Sequence, residues 1–88
     1  MWGTRTLAIT DKAVYNIDGK RIKRCLMIHD CKAMTKTVPP SENLEELTIH
    51  VTVAHDYRFR SNQRDLIMDV IKRAFFNMTE TNVQIYCV

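Results

Sequence analysis

Four cations stand within one five-residue stretch of this chain, Lys20, Arg21, Lys23 and Arg24, with Ile22 among them. Arg5 stands alone ahead of the first apolar run. The chemistry open to such a group is electrostatic capture of an anion. A Lys or Arg near an anionic lipid surface contributes about 1 kcal/mol, so a handful supports weak, salt-sensitive binding. The competing reading is a solvated edge strand, where Lys and Arg block edge-to-edge pairing.

Other chemistries find less support. Cys25, His29 and Cys31 share a strand parity, but their spacings match no common zinc pattern, and buried thiols behave as small hydrophobes. No metal site or cofactor is expected. There is no serine nucleophile turn and no glycine-rich phosphate loop, and two glycines leave little for a backbone cradle. His55-Asp56 reads as a turn. The chain is therefore expected to be non-catalytic. Single-strand nucleic-acid binders interleave cations with exposed aromatics. Here Tyr15, Tyr57 and Phe59 alternate with polar residues as buried side chains do, leaving Trp2 as the free aromatic near Arg5. Nucleic acid is disfavoured as a partner.

The positioning elements follow from periodicity. Ser61–Met78 is the one long helical pattern, with Leu66, Ile67, Val70, Ile71, Ala74, Phe75 and Met78 at intervals of three and four. The spacing predicts a helix over about 61–78, with Ser61 as N-cap and Met68 and Phe76 at the margin of its apolar stripe. Asp65 toward its start and Lys72 and Arg73 toward its end agree with the helix dipole. The rest reads as strands. Arg5–Thr10 and Ala13–Ile17 are followed by Asp18-Gly19, a hairpin signal because glycine accepts positive φ. Lys20–Ile28 is a third strand with a conflict: Ile22, Leu26 and Ile28 share a face with Arg24. A bulge near Arg24, or a place at the barrel mouth, resolves it. Cys31–Thr37 is a weaker strand. Residues 38–43 form a loop, since prolines cannot donate to a ladder. Leu47, Ile49, Val51 and Val53 alternate with polar residues. After a turn at 54–56, Tyr57 and Phe59 point inward and Arg58 and Arg60 outward. Val83, Ile85 and Cys87 make a short last strand.

The totals agree with one domain over residues 1–88, a mostly β, α+β fold: about six antiparallel strands as a sheet or partly open barrel, closed by the helix. No apolar run reaches the ~20 residues that span a bilayer, and no secretory signal opens the chain. Three cysteines without a CxxC pair read as reduced thiols. Net charge is +3, unevenly placed. Residues 1–40 carry eight Lys/Arg against three acids, and residues 41–88 five against seven. The N-terminal half is thus the candidate anion-facing half.

Strands followed by one amphipathic helix is a pleckstrin-homology-like order. The run Leu7–Ile17, then Lys20–Arg24, resembles the tail homology 1 domain of class I myosins. So do the aliphatic strand of Leu44–Val53, the His55-Asp56-Tyr57 turn and Ser61 ahead of the helix. The similarity runs from Arg5 onward. It implies a pleckstrin-homology-like fold that binds acidic phospholipids, often phosphoinositides, as a peripheral membrane module of the cytoplasm and cytoskeleton. It places Arg5 at the lipid-site arginine opening the second strand. The partner lysine belongs to a preceding strand, and with only four residues ahead of Arg5 that first strand is expected to be missing from these 88 residues. Lipid contacts are expected at Arg5, Lys20, Arg21, Lys23 and Arg24. The alternative is a protein-interaction scaffold of the same fold, with a partner adding a strand to the open sheet edge or docking on the helix face.

Overall fold

The computed structural model describes residues 6–37 and 45–88. Arg5 and the expected loop at 38–43 lie outside the described residues. Seven strands and one helix follow in order: β1 (Thr6–Ile9), β2 (Ala13–Asp18), β3 (Arg21–Met27), β4 (Cys31–Lys36), β5 (Glu46–Val51), β6 (Tyr57–Arg60), α1 (Arg64–Thr79) and β7 (Gln84–Cys87). They form an α+β fold of two sheets, ordered β1-β2-β3 and β6-β5-β4-β7, and not a closed barrel. Six strands precede the helix and a short one follows it, as expected. All pairings are antiparallel except β7 with β4. A parallel neighbour requires a long crossover, which α1 supplies.

A single 3-10 turn, Ile28–Asp30, joins the sheets. The Ile28 N–H donates to the Lys12 carbonyl and the Thr52 N–H to the Asp30 carbonyl. Ile28 itself is buried, an end point that the expected continuation of β3 through Ile28 did not include. In β5 the alternation acts as the sequence predicts: Leu47, Ile49 and Val51 are buried, Thr48 and His50 are not. They meet Met34 of β4 and Met68 and Ile71 of α1 in one core.

The helix differs from its expectation in two ways. It begins at Arg64, with Gln63 at the N-cap. Ser61 instead closes a tight turn before it, accepting from the Gln63 N–H at its hydroxyl and from the Arg64 N–H at its carbonyl. The inward stripe is also rotated. Arg64, Met68, Ile71 and Ala74 are buried, while Leu66 is 58% exposed. Met78 is exposed too, and Met68, assigned to the margin, is central. The apolar residues cover a wide arc of this helix, and the part that turns inward is set by its contacts with the 3-10 turn and β5. Among the described residues, no helix is long and apolar enough to cross a membrane.

Candidate anion-binding surface

The β2–β3 hairpin carries the basic cluster. Asp18 pairs with Arg21 across a two-residue turn, Gly19-Lys20. Gly19 has φ of +62°, as the first position of a type II′ turn demands. Lys20, Arg21 and Lys23 are all exposed around this tip.

The register explains the conflict seen in β3. Asn16 pairs with Arg24 but Ile17 with Ile22, so Lys23 is the extra residue of a bulge. A bulge shifts the alternation by one. Leu26 and Arg24 therefore share the core-facing side with Val14 and Asn16, while Ile22 turns with Ile17 to the other side. Ile22 is 62% exposed, correcting the expectation that it shares the face of Leu26. Tyr15, expected to be buried, is only half-buried and lies off the core that Tyr57 and Phe59 pack against.

Arg24 is not a free cation. Its guanidinium sits 5.4 Å from the Tyr57 ring centroid and donates to the carbonyls of His55 and Asp56. Cation–π attraction and carbonyl acceptors explain how a charge is tolerated on the core-facing side of β3. It ties the first sheet to the β5–β6 turn. Of the expected lipid contacts, the fold thus brings Lys20, Arg21 and Lys23 to one tip, employs Arg24 elsewhere, and leaves Arg5 outside the described residues.

A second cluster escaped sequence reasoning. His50 Nδ1 lies 2.6 Å from Asp56 Oδ2, and His50 Nε2 lies 2.6 Å from the Thr35 hydroxyl. A carboxylate only accepts, so Nδ1 carries a proton and donates it to Asp56, while Nε2 faces the Thr35 hydroxyl. Asp56 Oδ1 also accepts from the Val51 N–H. The His50 bond above all, with the Val51 N–H, holds the Asp56 carboxyl below the usual carboxylate range. The connectivity is that of an acid–imidazole–hydroxyl relay. Thr35, however, lies mid-strand with neighbours on both sides, Thr48 and Tyr86. Two surface depressions lie elsewhere, beside Glu45 and Arg60 and beside Lys72 and Phe76. Joining β4, β5 and the residues after β5, the cluster acts as a cross-strand latch that closes the β5–β6 turn. His50 and Asp56 stand six positions apart across a short turn, a legible signal; Thr35 comes from a neighbouring strand and gives none.

Among the described residues, no three His, Cys, Asp or Glu side chains lie together as metal ligands would. Cys31 sits in the core, where burial pushes its thiol up to about 11, while Cys25 and Cys87 are exposed. No protein-family model, no curated protein and no solved structure matches the chain.

Proposed function

We propose that this chain is a non-catalytic module that binds anionic phospholipid headgroups, phosphoinositides among them, through Lys20, Arg21 and Lys23. The observation carrying the reading is three exposed cations gathered at one hairpin tip. At about 1 kcal/mol for each cation near an acidic bilayer, three give binding that is weak, reversible and salt-dependent. The resemblance of Leu7–Arg24 to the class I myosin tail domain supports the same partner and a peripheral place at the cytoplasmic membrane face or the cytoskeleton. Arg5 adds to the surface on that resemblance; Arg24 contributes by holding the hairpin.

The test is co-sedimentation with phosphatidylcholine vesicles, with and without phosphatidylserine or a phosphoinositide, at low and physiological salt. Pelleting with the acidic vesicles alone, lost on Lys20→Glu with Lys23→Glu, supports the reading. No pelleting at low salt rejects it. A second reading, a protein scaffold, is favoured by β1, which pairs only with β2 among the described residues. Strand addition there would survive both high salt and the charge reversals.

A further inference from the structure

The outer side of the first sheet is apolar. Alternation and register place Ala8, Tyr15 and Cys25 in one cross-strand row and Thr6, Ile17 and Ile22 in the next, with Met27 opposite the buried Ala13 at the far end of β3. Ala8, Tyr15, Ile17, Ile22, Cys25 and Met27 all lie off the core cluster. Ile22 and Met27 are large exposed hydrophobics, and Cys25 is exposed. A three-stranded sheet with apolar residues on both sides has one side unpartnered. The bulge at Lys23 is what puts Ile22 there.

We propose that this face lies on the membrane, with Ile22 as an apolar anchor entering the headgroup–acyl boundary and Lys20, Arg21 and Lys23 meeting lipid phosphates around it. The inference rests on the acidic-lipid reading above and adds a salt-resistant component to it. Charge decides the occupant. The tip from Asp18 to Lys23 carries three exposed cations and one carboxylate, complementary to an acidic bilayer, which also accepts an aliphatic side chain among cations. A second copy docked face to face with hairpin tip on tip would bring two identical cationic clusters together, which is repulsive. Nucleic acid stacks on aromatic faces, and Tyr15 is the one ring on this side among the described residues.

The experiment separates the two components. Ile22→Ser keeps every charge and alters an exposed side chain, so the fold is retained. It should lower partition onto phosphatidylserine vesicles about tenfold, the effect of losing one inserted aliphatic group, and remove the part of binding that persists at high salt. Ile22→Trp in a Trp2→Phe background should show blue-shifted emission on those vesicles and quenching by lipids brominated on the acyl chain. Vesicle binding by the native protein, with unshifted emission from the Ile22→Trp variant and unchanged Ile22→Ser affinity, would overturn the anchor and leave the electrostatic reading standing. Absence of binding by the native protein at any salt would overturn both. Concentration-dependent dimers of the native protein that Ile22→Ser abolishes would overturn the anchor in favour of a second copy on this face.

Discussion

Arg24 of β3 and Tyr57 of β6 come from different sheets, and the Arg24 guanidinium carbon lies 5.4 Å from the centre of the Tyr57 ring. With its bonds to the His55 and Asp56 carbonyls, this cation works inside the molecule. Lys23 beside it is exposed. Two adjacent basic residues therefore have separable effects. Arg24→Ala is expected to cost about 1–2 kcal/mol of stability through the lost cation–π contact and orphaned carbonyls. Lys23→Gln is expected to change stability by no more than about 0.5 kcal/mol and to weaken binding to acidic vesicles about fivefold. Urea denaturation and co-sedimentation of the two variants check both. Equal stability losses would contradict the structure.

Arg64 opens α1 and is buried. Its Nη1 donates to the Thr37 carbonyl at 2.6 Å and to the Glu46 carbonyl at 3.4 Å, and its Nε donates to Asp65. It thereby ties the end of β4 and the start of β5 to the helix. Arg64→Ala should destabilise by about 2–4 kcal/mol, since it removes a charged donor from both carbonyls and empties a packed stem. Arg60→Ala, an exposed partner of Glu46, should cost under about 1 kcal/mol. Chemical denaturation of both variants tests the contrast.

Acid should weaken the β5–β6 turn. The Asp56 carboxyl is held low by His50 first and the Val51 N–H after it. Its stabilising contribution is fully present above the unfolded-state value and is lost as pH falls through the lower folded-state value. The urea midpoint should therefore drop as pH goes below about 4, where an unfolded Asp begins to take up protons. Asp56→Asn should lower the midpoint at neutral pH and flatten that part of the profile. A wild-type profile no steeper than that of Asp56→Asn would show that the latch does not stabilise the fold.

The three cysteines should divide by reactivity. Cys25 and Cys87 are exposed, while Cys31 is buried with its thiol raised to about 11. The thiolate attacks a sulfur of a disulfide reagent and displaces its other half as a thiolate, and burial disfavours the thiolate form of Cys31. Two thiols should react promptly with such a reagent at pH 8, and the third only at the rate of unfolding, accelerating with urea. Prompt reaction of all three would contradict the packing around Cys31.

Element type and order were legible in the residues themselves. Leu47, Ile49 and Val51 alternate strictly, Asp18-Gly19 marks its hairpin, and the single long stretch of helical spacing lies where α1 forms. These signals are local, arising from the two- and 3.6-residue repeats and from the positive φ that Gly19 accepts. The basic cluster was equally plain, and so was the conflict at Arg24 that the bulge resolves.

Tertiary structure alone decided the direction of several side chains. One extra residue, Lys23, reverses Ile22 relative to Leu26, and no local propensity fixes where a ladder slips. The inward part of α1 depends on where Arg64 finds its carbonyls, which lie 27 and 18 residues away. Thr35 meets His50 only because β4 and β5 pair in one register. Periodicity says that a face exists. Which neighbour that face meets is a matter of long-range packing, and so the division of the cations, with Arg24 holding the fold and Lys20, Arg21 and Lys23 facing solvent, exists only in three dimensions.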